Sequence, residues 1–341
     1  MPNNSEKNIN IGINLLKVLM AFDVILGHFC EWDNYSGVFY HFFNALVSLA
    51  VPVFVILSFY LMENCIISNN YEKQNKRLYK IIIPQIGWTF IYWFIYFLLN
   101  VNEKINISSL FWQLFTGHSM YINPTMWFQI ELIIITALFF FIFNKLGEKK
   151  GIITITILTC ICLFLEVTEI NRLMFGELRY ELKYPLGRLI EMIPYASIGI
   201  YLKYFKIYER INNYKKIVLP LSIVMFCLGF IIPFHQYNDF GFSGFCKPYL
   251  AIWIITFAIL FPFNSFPKIF KLVANQISKY TLGIYCSHRL IDTLLKIIIN
   301  DYYLSINSFA RCILLYLICY LLCFAISHIP SKHNVITNLI G

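Results

Sequence analysis

Apolar runs of about twenty residues, each long enough to cross a ~30 Å hydrocarbon core, recur along the whole chain. No other feature constrains the fold as much. Backbone amides inside lipid have no water to bond, so each crossing segment must satisfy its own polar groups. Runs this long, without strict alternation, do so as helices and not as barrel strands. Charged residues make up 13% of the 341, against 59% apolar. A water-soluble domain carries about 25% charged residues. The expected fold is therefore an all-α polytopic transmembrane helical bundle.

Ten spans are predicted: Ile11–Cys30, His41–Met62, Ile81–Asn100, Pro124–Asn144 and Gly151–Val167, then Arg188–Tyr204, Ile217–Phe234, Cys246–Phe263, Ile277–Ile299 and Ser308–Ile329. Ile107–Phe115 is apolar but too short to cross and is expected to lie along the interface. The first run lacks a small-residue cleavage site behind it and reads as a retained helix. No internal repeat divides the chain, so residues 1–341 read as a single integral membrane domain.

Positive charge sets the orientation. With the N-terminus inside, seventeen of the 27 Lys and Arg fall in inner segments, among them Lys73, Lys76, Arg77 and Lys80, and six fall in outer ones. Both termini are then cytoplasmic by the positive-inside rule. The same loops account for the net charge of +9, which therefore argues for no nucleic-acid partner. The ten Cys are scattered within apolar runs, with neither zinc-site spacing nor a disulfide framework, and no metal site is expected.

Ionisable residues inside spans need a reason, because each costs about 2.5–3.5 kcal/mol at the bilayer centre. The first helix carries Lys17, Asp23 and His28. At ~100° per residue Lys17 and His28 lie within about 20° of one face and about 16 Å apart along the axis, whereas Asp23 points about 140° from His28. One reading is a polar cleft with a cationic inner station and an imidazole outer station. The other is a Lys17 that snorkels and a His28 in the headgroup region. The ninth span carries His288, Arg289, Asp292 and Lys296 at spacings that allow mutual neutralisation. Glu131, one turn after Trp127, is a further intramembrane carboxylate that a basic neighbour would pair.

The stretch from Lys17 to His28 resembles the first-helix motif of integral membrane acyltransferase family 3, in which a cation is followed by ten residues and a His. Lys17 stands where Arg is commoner. Similar correspondences run down the chain: Pro52-Val53-Phe54 with Ser58, Arg77-Leu78 with Pro84, Met126-Trp127-Phe128, and Ser278–Tyr285 followed by His288. Phe59 replaces a customary Gly.

The resemblance implies a membrane O-acyltransferase moving an acyl group, most often acetyl, from cytoplasmic acyl-CoA to a hydroxyl of a cell-surface or secreted carbohydrate. The acceptor would be a surface polysaccharide or lipid-linked glycan. Acetyl-CoA would be the acyl donor, with no permanently bound cofactor, and the chain would sit multi-pass in a cell membrane, with a bacterial plasma membrane suggested by its Ile, Lys and Asn richness. All chemistry would lie in the membrane part. His28 would act as general base, or form an acyl-His intermediate, with Lys17 as its catalytic partner. Arg77 and Lys80 would hold the CoA phosphates, unless they are ordinary positive-inside anchors. His288, Trp127 and His41 would contact the acceptor. Their alternatives are a structural polar network, an interface-belt aromatic and a solvated loop residue. The loop from Glu169 would shape acceptor choice. A flippase for a lipid-linked sugar would also need many helices and intramembrane charges, but would have no use for CoA.

Overall fold

In the computed structural model, residues 10–31, 46–47, 49–102, 105–117, 119, 122–123, 125–167, 180–234, 243–329 and 338–340 are described. Among them there is helix and no strand. His41, Trp32, Asp33 and the segment 169–179 lie outside the described residues.

The helices are α1 Ile11–Phe29, α2 Ala50–Ile67, α3 Tyr71–Leu98, α4 Ile107–Thr116, α5 Trp127–Val167 and α6 Tyr180–Tyr204. They continue with α7 Ile207–Ile211, α8 Lys215–Phe234, α9 Ser243–Leu260, α10 Lys268–Ser278, α11 Thr281–Ile299, α12 Asp301–Ser305 and α13 Ser308–Ser327. Six stretches among the described residues are long and apolar enough to cross a membrane: Ile11–Phe29, Ala50–Ile67, Tyr71–Leu98, Trp127–Glu166, Ile207–Gly229 and Ser308–Ser327.

Several boundaries differ from the sequence expectation. Lys73 to Lys80, expected as a basic loop, is helical, because the Asn70 side chain caps α3 by accepting from Lys73 N at 3.0 Å. The expected fourth and fifth spans run as one helical stretch, interrupted at Gly147, whose φ of 72° only glycine adopts without strain. The expected ninth span breaks at Lys279–Tyr280. Its first two residues, Ile277 and Ser278, instead end α10, an amphipathic helix with Ile269, Leu272 and Val273 exposed, a pattern suited to the membrane interface. The segment expected along the interface folds as the short helix α4 and likewise exposes Ile107, Phe111 and Phe115.

Two apolar clusters hold the bundle. The larger joins α2, α3, α5, α6 and α9, and the smaller joins α1, α11 and α13 around Ala21, Ile25, Ile284, Cys312 and Cys319. Lipid tails are as apolar as these side chains, so close backbone approach matters more than burial. At Gly199 the space for a Cβ is filled by the Ile56 carbonyl of α2 and by Phe59. Phe59, which replaces the customary Gly, is fully buried there and packs edge-on to Phe139 at 5.3 Å. Tyr92 fastens α3 to α11 by donating to Cys286 O at 2.8 Å and accepting from Leu290 N at 2.9 Å. At its start, α1 is fixed by Asn10, which donates to Ile259 O at 3.0 Å, and by Asn14, which donates to Asn275 of α10 at 2.8 Å.

Candidate active site

Both ionisable ends of α1 open into cavities. Lys17 shares one of about 270 Å³ with Ser58, Met62 and Cys65 of α2 and Arg77 of α3. The basic segment that continues α3 as a helix carries Arg77 to this place, where its Nε donates to Met62 Sδ at 2.7 Å. Two cations from different helices thus face one hollow. Lys80, three residues further on, is exposed and does not line it. Ser58, from the Pro–Phe–Ser stretch, supplies a hydroxyl to the same wall.

The second cavity, of about 210 Å³, is lined by His28, Gly27 and Val24 of α1, by the first turn of α2, and by Thr125, Trp127, Arg188, Glu191 and Tyr285. The His28 side chain is exposed into it. Asp23, on the opposite side of α1, is buried and does not orient the imidazole itself.

His288 of α11 lies against His28. The two rings stack with centroids 5.5 Å apart and planes at 13°. His288 is fully buried, with Nδ1 bonded to the Tyr285 carbonyl and Nε2 without a partner. The i,i+4 and i,i+3 pairings expected for Asp292 with His288 and Arg289 do not form. Asp292 instead pairs with Lys296 at 2.7 Å and accepts from the Tyr303 hydroxyl at 2.9 Å. Of the expected neutralising contacts only Asp292–Lys296 is made.

Trp127 stands at the cavity wall with the Arg188 guanidinium 5.3 Å from its ring centroid, a cation–π contact. Arg188 in turn pairs with Glu191 at 2.6 Å. These two, three residues apart on α6, escaped the sequence reading as site residues, although an i,i+3 ion pair inside an apolar span was a usable signal. Glu131 is buried with neither carboxylate oxygen hydrogen-bonded.

Aromatic rings separate the cavities. Phe54, which lines the Lys17 cavity, lies 6.4 Å from Phe128, and Phe128 lies 5.5 Å from Tyr285 of the His28 cavity. Tyr285 is held by a short hydrogen bond to the Thr125 carbonyl. The arrangement offers a cationic hollow, an apolar divide, and a hollow with an imidazole, an aromatic platform and a carboxylate. No group of three or more His, Cys, Asp or Glu among the described residues forms a metal site.

Residues 10–328 match the model of acyltransferase family 3, described as an acyltransferase domain. No curated protein and no solved structure matches the chain.

Proposed function

The chain belongs to acyltransferase family 3, whose domain spans residues 10–328, and on that premise we propose that it transfers an acyl group, acetyl by preference, from cytoplasmic acyl-CoA to a hydroxyl of a surface carbohydrate. One observation carries this reading. Lys17 and Arg77 converge on one cavity, and His28, on the same helix as Lys17 and about 16 Å along it, lines another.

CoA is a phosphorylated anion too polar to cross lipid, so a donor site needs cations at the cytoplasmic end. Lys17 and Arg77 supply them and hold its phosphates by charge-assisted bonds. Lys80 attracts the anion toward that mouth from outside it. The thioester end reaches past Phe54 toward His28, which takes the proton of the acceptor hydroxyl as that oxygen attacks the thioester carbonyl. His288 and Trp127 position the acceptor, the first through Nε2 and the second by stacking on a sugar face. His41 remains a proposed acceptor contact on sequence grounds.

Ten spans with both termini cytoplasmic fit this task. The charge distribution supports the orientation. The interruption at Gly147, which divides α5 into two legs, supports the count. The chain then sits as one multi-pass domain in a cell membrane, bacterial by its composition.

The test uses sealed vesicles carrying the chain, with acetyl-labelled acyl-CoA inside and a mixture of surface polysaccharide outside. Label appearing in the polysaccharide, with one free thiol released per acetyl, supports the reading. Glycan movement with no consumption of acyl-CoA would instead mark a flippase.

A further inference from the structure

Resting on that acyl-transfer reading, we infer that Arg289 is a catalytic residue, the cation that receives the negative charge developing on the thioester carbonyl oxygen. His28 alone supplies only half of what acyl transfer to a hydroxyl requires. A base removes the proton, but the carbonyl oxygen must also be stabilised as it gains charge, and preorganised donors there are commonly the largest single contribution to rate.

Arg289 is placed for this. Tyr285, His288, Arg289 and Asp292 follow at helical spacings of three and four along one face of α11. Tyr285 lines the His28 cavity, and His288 stacks on His28. Arg289 stands one turn beyond Tyr285, within about 40° of it around the helix, and next to His288.

The guanidinium is also uncommitted. Its Nε is buried without a hydrogen-bond partner, and no ion pair forms to it among the described residues. The carboxylate one turn away, Asp292, is occupied by Lys296 and Tyr303. Arg311 of α13 is taken by Glu31 at 2.9 Å. Tyr96 of α3 shares its hydroxyl with Thr293, one turn beyond Arg289, at 2.9 Å. A cation half-buried in a membrane bundle and left unpaired carries a cost that a structural role would have relieved with a carboxylate. The CoA phosphates do not need it, because Lys17 and Arg77 stand at the other cavity.

An imidazole nitrogen of His28 takes the hydroxyl proton while the hydroxyl oxygen bonds to the thioester carbon. The carbonyl π electrons move onto oxygen, beside the Arg289 guanidinium. Collapse of that intermediate re-forms the carbonyl, breaks the carbon–sulfur bond, and the CoA thiolate leaves with the proton that His28 holds.

The experiment compares the full chain with Arg289→Lys, Arg289→Gln and Arg289→Met in vesicles, measuring kcat and both KM values at matched membrane levels. Loss of the charge is expected to lower kcat about 100- to 1,000-fold. Both KM values should stay within about threefold, the pattern of an interaction made only in the transition state. Arg289→Lys, which keeps a cation without the fork, should recover about tenfold over Gln and stay at least about tenfold below the parent. Unchanged kcat in Gln and Met would overturn the assignment. So would a raised acceptor KM with kcat preserved, which would make Arg289 a binding site for an acidic acceptor. Absence of transfer by the parent chain would instead count against the acyl-transfer reading itself. If Gln and Met fail to accumulate, Lys carries the comparison, and parent-like kcat in it would again overturn the proposal.

Discussion

The imidazoles of His28 and His288, from the first helix and from one near the end of the chain, stack at 5.5 Å with their planes 13° apart. The contact brings the ends of the family match to one point: an imidazole exposed to a cavity and a buried ring behind it. His288 Nδ1 donates to the Tyr285 carbonyl, which makes Nε2 the acceptor nitrogen of the neutral ring, buried and without a partner. Replacing His288 by Phe keeps the ring surface and removes that nitrogen. The expected result is a rise of about tenfold in acceptor KM, corresponding to about 1.4 kcal/mol, with kcat little changed. Steady-state transfer kinetics check this, and a fall in kcat at constant KM would assign His288 to the chemistry.

Lys17 and Arg77 share one hollow, so their substitutions should not add. Lys17→Gln and Arg77→Gln are each expected to raise acyl-CoA KM about tenfold, with the double variant well beyond a hundredfold, because in each single variant the remaining cation partly covers for the missing one. Lys80→Gln, outside the hollow, should stay within about twofold. Titration of acyl-CoA against initial rate distinguishes these outcomes, and a Lys80 effect equal to that of Arg77 would move the donor site outward.

Asp23 is buried on α1, beside α2, which begins at Ala50 with no cap from the Leu49 side chain, and the carboxylate is expected to serve the free N–H groups there as a helix cap. Asp23→Ala should cost about 1 kcal/mol, on the scale of capping losses, and lower the thermal midpoint of the detergent-solubilised protein. Asp23→Asn keeps an acceptor oxygen and should fall much closer to the parent. Circular dichroism melts compare the two, and equal losses would separate Asp23 from that cap.

At Gly199 the Ile56 carbonyl occupies the space a Cβ would take. Gly199→Val should therefore force α2 and α6 apart, at a cost of about 1–3 kcal/mol for overpacking. Reduced yield of folded protein after detergent extraction is the expected sign. Normal yield and melting would mean that the two helices cross less closely than this.

The sequence showed the helical class and most of the crossing segments plainly, because apolar length is a local property. It also placed Lys17 and His28 on one face, since phase along one helix follows from counting. Contacts between helices were not legible in this way. Nothing in the spacing of His28 and His288 reveals that they meet, because the register of one helix against another depends on the packing of the whole bundle. Asp292 had three candidate cations within helical reach, and the choice of Lys296 depends on Tyr303, supplied by the following helix. The basic stretch at 73–80 read as a loop because its charge outweighed the Asn70 cap, although that cap and the absence of any Gly or Pro before Pro84 allow the helix. The join through Gly147 was hidden for a similar reason: Lys145-Leu146-Gly147-Glu148-Lys149 has loop composition but helical neighbours.

The central claim is that His28 is the base for acyl transfer to a carbohydrate hydroxyl. The most direct measurement follows labelled acetyl from acetyl-CoA into surface polysaccharide, in membranes holding equal amounts of the parent chain or of His28→Ala. The account expects label from the parent and a loss of at least about 100-fold in the variant, the scale of a missing general base. Equal labelling by the two would contradict it and remove His28 from the chemistry.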